Sequence, residues 1–202
     1  MQLPWLRCGV LPRLVLFVLV LALSLPSRAH ADERVRLFAE LDPLTFANAG
    51  YGSQLGIRHP ALRGVRIAVA SFSLHVPDFV AQLGGNDGFD LRVRPSAALY
   101  VLYYFSPPGR GGFAVGGSLR YLRLRYRHDD VAGEEANVGE LSPEAILAYQ
   151  WHPFKNGFYV QPWVALGVAL SHDGKAVVGP HTYDELPVIP FFTVNVGWEL
   201  AL

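Results

Sequence analysis

The chain has 202 residues, 51% hydrophobic and 17% charged, with 17 basic residues, 17 acidic residues and a single cysteine. A balanced charge excludes a nucleic-acid binder that works through bulk basicity. No apolar run after Leu25 approaches the roughly 20 residues of a membrane-spanning helix, yet the apolar content is high, which leaves a closed β-barrel as the membrane option.

Met1 to Ala31 carries the pattern of a secretory signal: Arg7 and Arg13, an uncharged apolar run from Leu14 to Leu25, and Ala29-His30-Ala31 as a small-x-small cleavage site. Removing Arg7, Arg13 and Arg28 leaves 14 basic against 17 acidic residues, a net charge of −3 on residues 32–202, which form the one expected domain. Cys8 leaves with the signal, so neither disulfide nor thiolate chemistry is expected after cleavage.

From Val35 onward, apolar residues alternate with polar or small ones at the period-two spacing of strands with two different faces. Val35 to Leu41 and Tyr51 to Arg58 read as the first two strands, with Leu44 to Ala49 a loop between them. The third starts at Val65. Its large apolar residues shift phase from Val65, Ile67 and Val69 to Phe72 and Leu74, which predicts a bulge near Ala70-Ser71. Pro77 to Asp90 reads as a long connection with a helical turn or two over Pro77 to Leu83.

The fourth strand, Leu91 to Phe105, is expected to turn Leu91, Val93, Leu99 and Val101 outward and Arg92, Arg94 and Tyr104 inward, with a bulge at Pro95, which lacks a ladder donor. In the fifth, Phe113, Val115, Leu119 and Tyr121 face out, and beyond Tyr121 the phase changes so that Arg123, Arg125 and Arg127 form a row on one face. Such a basic row belongs above the bilayer, because charge on a lipid face costs most at mid-membrane. The sixth strand shows Leu141, Leu147, Tyr149 and Trp151 outward, and the seventh shows Phe158, Val160, Val164 and Leu166.

The last stretch, Pro190 to Leu202, has the clearest alternation: Phe192, Val194, Val196, Trp198 and Leu200 on one face, Thr193, Asn195, Gly197 and Glu199 on the other. Short turns near Pro60, Pro108 and Asn156 alternate with longer loops near Gly50, Asn86, Glu134 and Pro180, the asymmetry of periplasmic turns and extracellular loops. Tyr103, Tyr104, Phe105, Tyr149, Trp151, Phe158, Tyr159 and Trp198 cluster near the short-turn ends, as in an interfacial aromatic girdle. The expected architecture is therefore all-β: an eight-stranded, up-and-down, antiparallel transmembrane barrel.

In strand alternation, turn asymmetry and terminal strand, residues Val35 to Leu202 resemble the small eight-stranded outer-membrane barrels of the OmpA, OmpX and OmpW kind. The ending Trp198-Glu199-Leu200-Ala201-Leu202 departs from the terminal Phe usual in that group. The resemblance implies a bacterial outer-membrane location, insertion by the barrel-assembly machinery, and a monomer in contact with outer-membrane lipid, with no cofactor and no nucleic-acid partner.

A barrel of eight strands has a lumen that side chains fill. The expected inward charges are Arg36, Glu40, Arg58, Arg66, Arg92, Arg94, Arg120, Glu140, Glu144 and Glu199, of both signs and therefore able to pair as a plug. The row Arg123, Arg125 and Arg127 is the candidate for lipopolysaccharide phosphates; pairing with acidic loop residues is its alternative. For catalysis the candidates are Ser73 with His75, oriented by Glu140 or Glu144, and Ser171 with His172, which as strand neighbours point to opposite faces. The analogy is an outer-membrane lipid A deacylase, whose His-x-Ser order is reversed in Ser73-Leu74-His75. His172, His181, Asp173, Asp184 and Glu185 flank the last loop without ligand spacing, so no metal is expected. The leading function is structural or surface interaction through the loops. Lipid modification and a narrow channel for small apolar solutes are the alternatives.

Overall fold

The computed structural model describes residues 34–174 and 176–202, without the side chains of Leu83, Ser171, His172 and Asp173. The expected signal, Met1 to Ala31, lies outside the described residues. The strands are β1 (Arg36–Leu41), β2 (Tyr51–Arg58), β3 (Val65–His75), β4 (Phe89–Tyr104), β5 (Gly112–His128), β6 (Ala136–Gln150), β7 (Phe158–Gly167), β8 (Ser171–Asp173), β9 (Val177–Val178), β10 (His181–Thr182) and β11 (Ile189–Ala201).

Eight of these form the wall, each antiparallel to its neighbours in the order β1, β2, β3, β4, β5, β6, β7 and β11, and the pairing of β11 with β1 closes the ring. Strand β8 resumes the path of β7 along β6, while β9 and β10 make a hairpin in the last loop. Closure leaves no sheet edge, which is what allows strands to cross a bilayer. No helix among the described residues is long and apolar enough to do so. A short helix, Pro43–Ala47, replaces the expected first loop: Asp42 caps it by accepting from the amides of Leu44 and Thr45, and Pro43 suits its first position. The second helix, Asp78–Leu83, lies where a helical turn is expected from the sequence.

The wall has two storeys of opposite chemistry. In the lower storey, toward the short turns, Leu55, Val69, Leu99, Leu119, Leu147 and Val164 are exposed on the outside, and Gln54, Arg66, Glu144 and Gln161 are buried in the lumen. In the upper storey of β3 to β5, Phe72, Leu91, Val93, Leu122 and Leu124 are buried inside, and the outer face carries Asp90, Arg92, Arg94, Arg123 and Arg125. Strands β4, β5 and β6 have 16, 17 and 15 residues, more than the roughly 9–11 needed to cross a bilayer, so the long side stands above it.

The switch is produced differently in different strands. In β4 a bulge at Pro95-Ser96 gives the strand one more residue than either neighbour, since Phe72 pairs with Ser96 while Leu74 pairs with Val93, and Arg94 pairs with Arg123 while Ala97 pairs with Tyr121. One added residue exchanges the two faces. Arg92 and Arg94 therefore point outward and Leu91 and Val93 inward, the reverse of the expectation for both pairs. In β3 and β5 the backbone phase is unbroken. The expected bulge at Ala70-Ser71 is absent from the described pairing, because Ala70 and Phe72 both face the lumen, and beyond Tyr121 the chemistry of the faces changes, not the phase.

The aromatic girdle is also smaller than expected. Phe105, Phe113, Tyr149, Trp151 and Trp198 are exposed near the short turns, but Tyr104 and Tyr159 turn into the lumen. Glycine makes room there: a Cβ on Gly197 would lie 2.5 Å from the Tyr159 ring, and one on Gly56 would overlap the ring of Phe38.

Candidate functional site

Two side-chain assemblies stand out, one across the lumen and one on the outer wall. In the lumen Glu40 is the hub. Its Oε1 accepts from the Tyr159 hydroxyl at 2.6 Å and pairs with the Arg66 guanidinium, and its Oε2 accepts from Gln54 at 2.8 Å and Asn195 at 2.7 Å. Arg66 also donates to the Tyr104 hydroxyl at 2.9 Å, and Tyr104 donates to Gln161 at 2.6 Å. This one network ties together β1, β2, β3, β4, β7 and β11. Strands β5 and β6 hold their own pair, Arg120 with Glu144 at 2.6 Å, and Ser118 donates to the same carboxylate. Arg58 lies 3.8 Å from Glu199 and over the Tyr104 ring. Burying these charges is tolerated because Glu40, Arg66, Glu144, Arg120, Arg58 and Glu199 each meet an opposite charge, and Glu40, Arg66 and Glu144 have hydrogen-bonding groups besides. Glu140 is buried on the same inner face of β6, and Arg36 sits at the short-turn mouth. The lower lumen is thus crossed by bonded side chains, an arrangement that fills the bore and leaves no design for wide solute passage.

The outer assembly lies where the storeys meet. Arg92 stands opposite Arg125 and Arg94 opposite Arg123 in the β4–β5 ladder, with Arg127 one step higher. Together with Tyr51 and Ser73 four of these arginines line an open cleft of about 600 Å³. Two carboxylates reach three of the five guanidinium groups: Glu135 meets Arg94 at 3.3 Å and Arg127 at 3.0 Å, and Asp90 lies 3.9 Å from Arg125. Arg92 donates to the carbonyl of Ala49 at 3.3 Å, and neither Arg92 nor Arg123 meets a carboxylate among the described residues. Glu135 lies outside the strands, and hydrogen bonds from Asn137 and Arg127 hold its carboxyl below the usual carboxylate range. Sequence reading found Arg123, Arg125 and Arg127 but missed Arg92 and Arg94. The signal was Pro95 itself, whose bulge exchanges faces.

Ser73 and His75 each have another partner. Ser73 donates to the carbonyl of Val93 at 2.8 Å, while His75 meets Asp90 at 2.6 Å, so the acid beside this histidine is Asp90, not Glu140 or Glu144, which face the lumen. The side chains of Ser171 and His172 lie outside the described residues; their backbone pairs with Leu141 and Glu140 of β6. Around the last loop, Asp184 is engaged with Asn86 and Glu185 lines the upper lumen, whereas His181 stacks on His128 at 3.6 Å with Asp130 beside both. His128 Nδ1 accepts the Asp130 amide at 3.2 Å, which occupies one potential ligand atom.

No family model matches the sequence, and no curated protein matches it. Among solved structures the chain is similar to neisserial surface protein A, NspA, at 12% identity, covering 84% of this chain and 96% of that one, with a TM-score of 0.46. It is also similar to a major outer membrane protein from Thermus thermophilus, at 10% identity, covering 83% and 98%, with a TM-score of 0.46. The barrel's own wall makes the membrane assignment: eight antiparallel strands closed into a ring, an apolar outer belt above an aromatic girdle, and a charged, bonded lumen are the features of a small outer-membrane barrel, and the outer membrane is where the protein resides.

Proposed function

We propose that this protein is a surface barrel that holds outer-leaflet lipopolysaccharide through the arginines on its upper outer wall. The observation that carries the reading is the surplus of cation at one level: Arg92, Arg94, Arg123, Arg125 and Arg127 stand directly above the apolar belt, where lipid phosphates lie, and only Arg94, Arg125 and Arg127 of them meet Glu135 or Asp90. A planar guanidinium takes phosphate in two parallel charge-assisted bonds, and neighbouring arginines on one strand face present several such forks to one headgroup. The role is structural or interactive, performed by a monomer that the barrel-assembly machinery inserts, with the loops free to meet an external partner. Lipid modification lacks a nucleophile paired with a base among the described side chains.

The test replaces Arg92, Arg94, Arg123 and Arg125 together with Gln and measures lipopolysaccharide per barrel after gentle detergent extraction. A several-fold fall is expected; an unchanged ratio in a folded, heat-modifiable barrel contradicts the proposal.

A further inference from the structure

The strands do not rise equally. On one side β4, β5 and β6 run high; on the other β1 stops at Leu41 and β7 at Gly167, so the rim is low beside the tops of β7 and β11. Inside the high wall lies a cavity of about 170 Å³ whose lining is mainly apolar, with Leu74, Val93, Leu122, Leu124 and Phe191, while Glu140 and Glu185 also border it and Arg120 lies at its floor, held by Glu144. Its roof on the tall side is tied down, because Asn86 and Asp184 exchange two hydrogen bonds of 2.8 and 2.6 Å.

On the low side the cavity is not walled off. Leu74, Val80 and Phe191 also line a cleft of about 790 Å³ whose other residues include Val164, Leu166 and Phe192. These last three belong to the lipid-facing side of the wall, with Leu166 and Phe192 each 58% exposed. Phe79 borders the same cleft and is 62% exposed. Apolar surface thus runs from the lipid face, over the low rim and into the barrel. The polar groups, Asp42, Thr45, Asn48 and Thr193 in the cleft and Glu140, Glu185 and Arg120 in the chamber, are a minority of the lining residues. A chamber meant only as packing would be filled.

We infer that this chamber receives one linear acyl chain, tail first over the rim between β7 and β11, with the polar head left outside. The occupant follows from the continuity: what already covers Val164, Leu166 and Phe192 in the membrane is hydrocarbon, and the route inward is mainly apolar, with Arg120 and its partner Glu144 below. A free fatty acid and a chain of an outer-leaflet lipid share this chemistry. The chamber lies inside the barrel and the arginine cluster on its outside, so this inference stands or falls separately from lipopolysaccharide binding.

The experiment uses Trp163, which points inward and lies 5.3 Å from the Phe191 ring. Protein purified from membranes, with Trp151 and Trp198 replaced by Phe, is placed in vesicles containing either a fatty acid brominated along its chain or a phosphatidylethanolamine with a brominated chain. Saturable quenching of Trp163 is expected in at least one arm, and the arm that quenches identifies the source. Leu124→Phe, which fills the chamber, and Val80→Lys, which charges the rim from a loop helix outside the wall, should each reduce that quenching at least threefold. Val80→Lys leaves the barrel strands untouched, so a folding defect in the filled variant does not decide the result. Quenching in neither arm, or quenching unchanged by Val80→Lys in a folded barrel, overturns the inference.

Discussion

Arg94 meets Glu135 at 3.3 Å on the outside of the barrel, one residue before the point at which β4 exchanges its two faces. Had the strand continued in phase, the guanidinium would have entered the lumen and Val93 would have faced outward. The Pro95-Ser96 bulge is thus what places a basic collar outside and an apolar chamber inside at the same height.

Ser96 holds that bulge together: its hydroxyl donates to the Arg94 carbonyl at 2.7 Å and accepts the Arg123 amide at 3.0 Å, bonds the interrupted ladder cannot make. Ser96→Ala leaves both groups without this partner and should destabilise the barrel by about 1–3 kcal/mol. Urea unfolding in vesicles measures this, and Ser96→Thr, which keeps the hydroxyl, should lose less.

Glu40 accepts four hydrogen-bonding or ionic partners at the centre of the lumen. Glu40→Leu strands a buried Arg66 and should cost about 3–5 kcal/mol. Adding Arg66→Leu should recover much of that loss, because the desolvated charge is then gone. The same unfolding assay reads the cycle; a double variant as unstable as the sum of the singles would contradict the pairing.

Glu135 competes with any anion for Arg94 and Arg127. Glu135→Gln should therefore raise the lipopolysaccharide retained per barrel. With the wild-type carboxyl held low by Asn137 and Arg127, lowering the pH releases the arginines only once it passes below the ordinary carboxylate range. Retention measured from pH 7 downward should rise late in wild type, and the rise should be absent in Glu135→Gln.

His152 sits in the turn after β6, and burial pushes its imidazole below the usual range. The folded ring is then neutral while the unfolded chain takes a proton near pH 6.5. Its contribution to stability is fully present above that value and is lost as the pH falls toward the lowered folded value. The unfolding midpoint should drop less between pH 7.5 and 5.5 in His152→Gln than in wild type.

Much of the barrel was legible in the sequence because period-two alternation survives wherever lumen and lipid differ in polarity. The terminal strand, with Phe192, Val194 and Trp198 against Thr193, Asn195 and Glu199, is read correctly along its length. The same rule misreads the upper storey, where apolar residues face inward as they do in a soluble protein. Phe72 and Leu74 imitate a phase slip in β3 that the backbone does not make, and Leu91 and Val93 hide a real one in β4. The partnership of His75 with Asp90, and of His128 with His181, joins separate loops and strands, and no local pattern announces it.

The exchange of faces within one wall is tested most directly by single cysteines, since the only native one is Cys8, in the expected signal. Val93→Cys, Arg94→Cys and Leu99→Cys are each exposed on intact cells to a bulky, membrane-impermeant maleimide. Arg94→Cys should label readily, Val93→Cys should stay unlabelled inside the barrel, and Leu99→Cys should react only with a lipid-soluble maleimide. Labelling at Val93→Cys with protection at Arg94→Cys would contradict the two-storey wall.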